Sequence, residues 1–300
     1  MKLGLFFVIC CTLIMAFKSV LIKLLMIDGY STLEIMMLRN IATFIVVFVT
    51  LLILWKRNKL KVQTFKSFVY LMLVGLLCFH VSSFFDLYSL NYISVNLERL
   101  IVHLYPSMVC VLLVLKFGPK AVNKHQWIAI GCIYIATIVF VGFDQSIMFS
   151  WLGVLFALLA AFFYALYFVL ISDSIKKYGG TQVTLISLPL ASVTVNIQFW
   201  LLDGNVDVAP ITSNHIILLF ILGAVVGVGS MWLMNEAMHR LGASNTAIIS
   251  SLGPFITAII AYVFLGERLT FAQLCAMAIV VFAMYQLSLE MKVQALEKVK

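Results

Sequence analysis

The sequence predicts an all-α polytopic membrane protein, in which ten transmembrane helices form two inverted five-helix repeats. Three observations predict this fold class: the share of apolar residues, the spacing of long apolar segments, and a repeat at an offset of 148 residues. Of the 300 residues, 64% are apolar and 11% are charged, and the mean hydropathy is +1.12. A soluble protein needs far more polar surface to face water. Lipid must therefore be the solvent for most side chains, which argues against a soluble enzyme.

Ten apolar segments are long enough to cross a bilayer, which takes about 20 residues for a hydrocarbon core of about 30 Å. Numbered along the chain, spans one to ten cover residues 4–26, 33–55, 68–90, 95–116, 125–143, 150–172, 181–202, 214–238, 243–265 and 270–290. The connections are short and rich in glycine turn signals. Span one is too long for a cleaved signal peptide and no small-residue cleavage site follows it. We expect no soluble domain.

The distribution of lysine and arginine predicts the orientation of these spans. With the N-terminus inside, the inner loops and chain ends carry fifteen basic residues, and the outer loops carry only Arg268. Such a bias is the positive-inside rule, so both termini are expected in the cytoplasm. The net charge of +8 is then a topology signal and not a sign of nucleic-acid binding.

An internal repeat divides the chain into residues 1–147 and 148–300. At the offset of 148, Leu104-Tyr105-Pro106 in span four falls on Leu252-Gly253-Pro254 in span nine, and Gly118 falls on Gly266. Because each half holds an odd number of spans, the second half must enter the bilayer from the opposite side, as in many secondary transporters. Proline has no backbone N–H, so we expect Pro106 and Pro254 to bend spans four and nine beside a substrate site.

Ionisable side chains inside the membrane cost about 2.5–3.5 kcal/mol or more, so they mark function or mutual pairing. Most of them lie in the first half: Lys18 and Lys23 in span one, Arg39 in span two, Asp86 in span three, Glu98, Arg99 and His103 in span four, with Glu236 in span eight. We predict that the substrate-binding residues are Arg99, His103, Arg39, Glu98, Lys18 and Asp86, together with Ser251, the second-half counterpart of His103.

The alternative interpretation of this charged cluster is an ion-pair lattice that holds spans one to four together. Glu98 would then pair with Lys18, Lys23 or Arg39, and Asp86 would neutralise an arginine. Both interpretations stay open at this level, because pairs in a transporter can break when substrate binds.

The sequence lacks the motifs of metal sites, of ATP binding and of common hydrolases. All six cysteines lie in apolar segments without metal-ligand spacing, so we expect no metal or cofactor. The sequence contains no Walker motif, no HExxH and no GxSxG, which argues against ATP-driven transport and against an enzyme.

The order of these motifs resembles the drug/metabolite transporter superfamily, EamA type. The resemblance rests on ten spans, on a proline in spans four and nine, and on Gly266-Glu267-Arg268 after span nine. The stretch from Tyr92 to Ile101, followed by Leu104-Tyr105-Pro106, is similar to one bacterial subgroup of that family. The first half departs from the pattern, because Gly118-Pro119-Lys120 stands where the family has Gly-Glu-Lys or Gly-Glu-Arg.

The resemblance implies a secondary transporter, an exporter or exchanger, in the bacterial inner membrane. Its substrate would be a small polar or amphipathic metabolite, and its partners a coupling proton or an exchanged metabolite and the lipid bilayer. The excess of one cation over Asp86, Glu98 and Glu236 inside the membrane favours an anion or zwitterion, such as an amino acid or a carboxylate. The alternative hypothesis is a flippase for a lipid or a lipid-linked sugar, which can use the same inverted architecture. The oligomeric state is not predicted.

Overall fold

The computed structural model describes residues 2–57, 59, 64–89, 91–93, 95–141, 150–202, 212–253 and 255–256, with short pieces at 274–275, 278–279 and 281–283. The described helices follow the predicted spans: Lys2–Ile27, Thr32–Lys56, Phe65–Ser89, Val95–Val102 with Tyr105–Phe117, Lys124–Val141, Trp151–Tyr178, Gly180–Leu202, Ser213–Leu241 and Ala243–Ser250. The last of these begins span nine, and most of span ten lies outside the described residues. Five helices in the described part are long and apolar enough to cross a membrane.

Side-chain caps fix where several spans begin. At the start of span two, the backbone N–H of Ser31 donates to Glu34 Oε2 at 2.6 Å, and the N–H of Glu34 donates to Ser31 Oγ at 3.2 Å. Glu34 is thus the partner in a capping box. Gly179, with a φ of +84°, ends span six and lets span seven begin at the next residue.

Spans three and eight each contain a π-helical segment, which the sequence analysis did not predict. The segments are Leu77–Ser82 in span three and Ile221–Gly229 in span eight. The offset of 148 places the first on residues 225–230, so the two segments occupy overlapping positions in the repeat. A π-turn widens the helix by one residue and is frequent at functional sites.

Span four is interrupted, where we predicted one bent helix. The helix Val95–Val102 ends in a turn at His103 and Leu104, and a second helix runs from Tyr105 to Phe117. Pro106 is the second residue of that helix, a position that needs no N–H donor. A proline ring also clashes with the carbonyl four residues earlier, so the chain leaves the helix before it.

Span nine repeats this interruption with the same backbone hydrogen bonds. After the helix Ala243–Ser250, Leu252 N–H donates to Ile249 O at 3.2 Å, as Leu104 does to Ile101 at 3.0 Å. Phe255 N–H then donates to Leu252 O at 3.1 Å, as Ser107 does to Leu104 at 3.2 Å. Pro254 itself lies outside the described residues. The interruption is described by the hydrogen bonds of Leu252 and Phe255.

The closest approaches between the halves are reciprocal. A Cβ added at Gly75 in span three would collide with the backbone carbonyl of Ser187 in span seven. A Cβ added at Gly223 in span eight would collide with the carbonyl of Arg39 in span two. The offset of 148 converts Gly75 into Gly223 and Arg39 into Ser187. Contacts that exchange in this way are expected when two similar halves are related by a twofold axis.

Small residues make close packing possible along span six as well. Gly153, Ala157, Ala161 and Ala165, which recur every four positions, are all buried. A Cβ at Gly153 would lie 2.6 Å from Ile93 Cγ2, so glycine is required where the segment before span four crosses span six. This stripe therefore packs helices together, as expected for small residues in lipid.

Candidate functional site

An ion pair joins spans one and three. Lys18 Nζ lies 3.9 Å from Asp86 Oδ2, and the two side chains are 22% and 25% exposed. Arg39 of span two interacts electrostatically with the same carboxylate. Lys18 and Asp86 thus pair across spans one and three, where the lattice interpretation had Lys18 as a candidate partner of Glu98 and an arginine as the partner of Asp86.

The charged residues of span four are placed less completely. Glu98 lies in the helix Val95–Val102 and is only 5% exposed. Arg99 follows it in the same helix, but the direction of its side chain falls outside the described part, as does that of Lys23. The predicted contact between Arg99 and substrate stays a prediction.

The two interrupted helices meet at the centre of the bundle. His103, at the turn in span four, has its Nε2 atom 3.1 Å from the position that a Cβ on Gly253 would take. Thr12 Cγ2 of span one lies 3.7 Å from the same point. The two turns and the polar face of span one thus converge, and the absence of a side chain at Gly253 leaves room for the imidazole.

Tyr105, directly after the turn, links spans four and nine. Its hydroxyl donates to Ala247 O at 3.2 Å and also contacts the hydroxyl of Ser250. Its ring packs edge-to-face on Tyr164 of span six, with 4.9 Å between centroids. Ser251, predicted as a binding residue, is 1% exposed and donates to Ala247 O within its own helix at 3.2 Å.

A tyrosine of span five holds the turn in span four. The hydroxyl of Tyr134 lies 3.0 Å from Leu104 O and 2.6 Å from Ser107 Oγ. An interrupted helix exposes backbone carbonyls that need partners in a dry environment. Leu104 O also accepts from the N–H of Ser107 at 3.2 Å, so Tyr134 adds a further hydrogen bond that ties span five to the turn.

Glu236 has a structural role in this structure. Its Oε1 accepts from the backbone N–H of Thr181 at 3.0 Å, at the beginning of span seven, and its Oε2 lies 3.6 Å from Arg240. An acidic group at a helix N-terminus satisfies unpaired N–H donors and complements the helix dipole. Glu236 therefore caps the start of span seven and is not part of the charged cluster in the first half.

Sequence analysis missed two polar clusters. Tyr167 of span six donates to Asn235 Oδ1 of span eight at 3.0 Å, and Asn235 donates to Thr184 of span seven at 2.8 Å; all three are buried. His80 in the π segment of span three lies 2.7 Å from Thr194 and 2.6 Å from Gln198 of span seven. A histidine in the middle of an apolar span was a readable signal for the second cluster. The first combines neutral residues from distant segments and gives no such signal.

Comparison with known proteins gives the family. A model described as the EamA-like transporter family matches residues 2–142 and again residues 151–289. The chain belongs to the EamA-like transporter family. The two matches fall on the two halves that the internal repeat separates. This family lies in the drug/metabolite transporter superfamily that the order of the motifs predicted, and it points to a transporter rather than an enzyme.

Two individual proteins resemble this EamA-like transporter. The uncharacterized transporter YcbK of Bacillus subtilis (strain 168) is 26% identical over 210 residues, which are 66% of this chain and 65% of that protein. A protein known from a crystal structure superimposes with a TM-score of 0.75 over 97% of this chain and 98% of its own, at 17% identity. The second likeness concerns the fold alone.

Proposed function

We propose that this EamA-like protein is a secondary transporter of a small polar or amphipathic metabolite, working by alternating access between two inverted five-helix halves. The observation that carries the proposal is the meeting of two equivalent helix interruptions at the centre of the bundle, His103 against Gly253. Interrupted helices offer backbone groups to a substrate, and they are tolerated at membrane depth only where they are buried in protein or line a water-filled cavity.

The reciprocal contacts support alternating access. Gly75 on Ser187 and Gly223 on Arg39 are equivalent contacts between the halves, one in each direction. Two halves that are nearly interchangeable can exchange roles at little cost in energy, which generates outward-open and inward-open states. In this arrangement both termini lie in the cytoplasm and the protein resides in the bacterial inner membrane.

The balance of charge supports an anionic or zwitterionic substrate, such as a carboxylate or an amino acid. Spans one to four carry the cations Lys18, Lys23, Arg39 and Arg99 against the acids Asp86 and Glu98. Glu236 is engaged at the start of span seven and adds nothing to this cluster. A carboxylate on the substrate would offset part of this excess of two positive charges, and an arginine can hold it with two parallel hydrogen bonds.

The test is counterflow in proteoliposomes. Vesicles containing the purified protein and loaded with one metabolite from a panel of amino acids, carboxylates, amines and neutral sugars would be diluted into the same metabolite in labelled form. We expect rapid uptake of label for at least one carboxylate or amino acid, and none in vesicles without protein. Absence of counterflow across the panel would refute the proposal.

One observation favours the flippase as a second candidate. An open groove of about 410 Å³ runs between spans two and seven, with apolar walls that include Ile41, Phe44 and Trp200 and with Asn196 and Ser192 in its lining. Such a groove could receive an acyl chain from the bilayer. Accelerated transbilayer movement of a fluorescent lipid in the same vesicles, without metabolite counterflow, would support this candidate.

A further inference from the structure

His80 connects the two halves through both nitrogens of its ring. It lies in the π segment Leu77–Ser82 of span three, five residues beyond the close contact of Gly75 with Ser187. Its Nδ1 is 2.7 Å from Thr194 Oγ1 and its Nε2 is 2.6 Å from Gln198 Oε1, both on span seven. A change at this ring therefore acts directly on the contact between a first-half helix and a second-half helix.

The hydrogen atoms at this site can be counted. When the hydroxyl of Thr194 donates to Ala191 O, at 3.0 Å, it accepts from Nδ1 of His80. Gln198 Oε1 is an acceptor, so Nε2 must donate to it. A histidine that donates from both nitrogens is an imidazolium. In this arrangement the site holds one proton more than a neutral ring.

The same partners also suit the neutral ring. If the amide of Gln198 turns by about 180°, its NH₂ group takes the place of the oxygen and donates to Nε2, while Nδ1–H still donates to Thr194. Every hydrogen bond is kept in both protonation states. Partners fixed as acceptors, such as two carboxylates, would favour the charged state only.

The ionisable groups on the helices around His80 do not hold its ring in one protonation state. Span seven, from Gly180 to Leu202, carries no ionisable side chain. Span six, which also packs against the π segment, contributes Tyr164 and Tyr167 at this level and, towards its end, Asp173, Lys176, Lys177 and Tyr178. Span three itself carries Lys66, Tyr70, Cys78, Asp86 and Tyr88, and the carboxylate of Asp86 is engaged with Lys18.

The hydrogen-bond partners of His80, Thr194 and Gln198, are thus neutral dipoles, and the stability of the imidazolium then depends on how much water reaches it. Hydration of a site between the halves is what alternating access changes. We propose, building on the proposed secondary transport, that His80 with Thr194 and Gln198 is the proton-binding site that couples proton movement to transport. Proton release turns the Gln198 amide and alters the bond between the halves.

The first experiment observes the proton on the ring. Protein with isotope-labelled histidine would be titrated in lipid nanodiscs from about pH 5 to about pH 9 by NMR, around the ordinary range of histidine. The His80 signal would be assigned by its loss in His80→Gln. We expect a reversible change between imidazolium and imidazole. A ring held in one protonation state over the whole range would overturn the proposal.

Variants on span seven test the partner. Gln198→Leu should lower the proton affinity of His80 about tenfold or more, because the hydrogen bond that it removes is stronger to the charged ring than to the neutral ring. Asn196→Leu is the matched control, since that amide donates to Ser192 O at 2.8 Å and does not contact His80; it should leave the titration unchanged. If the titration of His80 is unchanged in Gln198→Leu, Gln198 is not part of the proton-binding site.

The second experiment separates coupling from transport itself. With the metabolite that gives the fastest counterflow, accumulation driven by a pH gradient would be compared in wild type, His80→Gln and the exposed control His239→Gln. We expect His80→Gln to lose gradient-driven accumulation by about tenfold or more while counterflow stays within about twofold, because exchange needs no net proton movement. His239→Gln should resemble wild type.

The remaining outcomes are decisive too. Accumulation retained in His80→Gln, no gradient-driven accumulation in wild type, or loss of counterflow together with accumulation would each overturn the coupling role while leaving secondary transport intact. If the wild type moved no metabolite at all, the proposed function would fail, and the titration would still decide whether His80 binds a proton.

Discussion

At the scale of single residues, the first half of the chain concentrates charge where the second half has hydroxyls and amides. Lys18 of span one pairs with Asp86 of span three, and His103 of span four lies beside Gly253 of span nine. The two halves therefore share a fold but differ in the charge of the side chains within their spans. A site formed between them can bind a charged group on one side and neutral polar groups on the other.

The ion pair of Lys18 and Asp86 predicts a compensating double variant. Asp86→Asn alone leaves a lysine without its partner, and Lys18→Met alone leaves a carboxylate, so each should lower stability by about 1–2 kcal/mol. This is less than for a fully buried pair, because both side chains are partly exposed. Together, the changes should recover much of the loss. Thermal unfolding in detergent measures this, and purely additive losses would argue against a direct pair.

Arg99 is the residue on which direct substrate recognition depends most. Arg99→Lys keeps the charge but loses the planar fork that binds a carboxylate with two hydrogen bonds, so substrate affinity should fall by more than about tenfold. The control is Arg240→Lys, at the end of span eight beside Glu236, which should bind normally. Equilibrium binding of the metabolite identified by counterflow measures both. Near-normal affinity in Arg99→Lys would assign this residue to the lattice instead.

At the scale of helices, irregularities occur at equivalent places in the two halves. Spans four and nine are interrupted at positions 148 residues apart, and spans three and eight both widen into π segments. Straight helices slide past one another, whereas interrupted or widened ones can change shape locally. These four spans are therefore the elements where we expect the transport cycle to deform the protein.

Removing the proline of span four tests this expectation. Pro106→Ala restores an N–H donor and should let the two helices of span four join, so the protein should insert normally but transport several-fold more slowly. Pro189→Ala is the control, because Pro189 lies inside the continuous helix Gly180–Leu202. Counterflow rates at equal protein content are the measurement. Equal rates in Pro106→Ala and wild type would show that the interruption is incidental to transport.

Glycines at the contact between the halves test the packing. Gly75→Ala and Gly223→Ala place a Cβ against a backbone carbonyl that cannot move aside, so each should lower stability by about 1–3 kcal/mol. Gly131→Ala in span five meets nothing within 4 Å and should be neutral or stabilising by up to about 1 kcal/mol. Thermal unfolding of the three variants separates close packing from helix propensity. Equal effects in all three would reject the contact.

At the scale of the whole molecule, the two halves are also joined at the end where spans one and two connect. His215, at the start of span eight, lies 3.2 Å from Asp28 Oδ2 and 3.0 Å from the Tyr30 hydroxyl. Burial and the negative charges of Glu34 and Asp28 raise the pKa of Tyr30, so this hydroxyl stays protonated in ordinary conditions. A first-half loop is thereby fastened to a second-half helix.

The orientation in the membrane is the prediction at this scale. In a background without native cysteines, a cysteine placed in the loop from 203 to 207 should react with a membrane-impermeant thiol reagent added to intact cells. A cysteine in place of Lys59 should react only after the membrane is opened, because the positively charged loops lie inside. The reverse pattern of labelling would place both termini outside the cell.

The sequence by itself determined the membrane class, the limits of the spans, the repeat and the family, because each follows from apolar length, glycine and proline placement, or spacing along the chain. The helices of the first eight spans begin within three residues of the prediction and, where the structure describes their ends, also end within three, except that span six runs on to Tyr178, six residues beyond the predicted end. It could also list the ionisable residues within the spans, although His80 was passed over. These properties are local, so they need no knowledge of which helices touch.

The tertiary structure decided the rest. Only packing shows that Asp86 meets Lys18, that Glu236 belongs to the start of span seven, and that His80 bonds to Thr194 and Gln198. Partners more than a hundred residues apart are chosen by the arrangement of helices, which no single helix encodes. Tyr134 of span five likewise bonds to the turn in span four, at Leu104 O and Ser107 Oγ. A proline permits such a break, and the surrounding helices determine whether it forms.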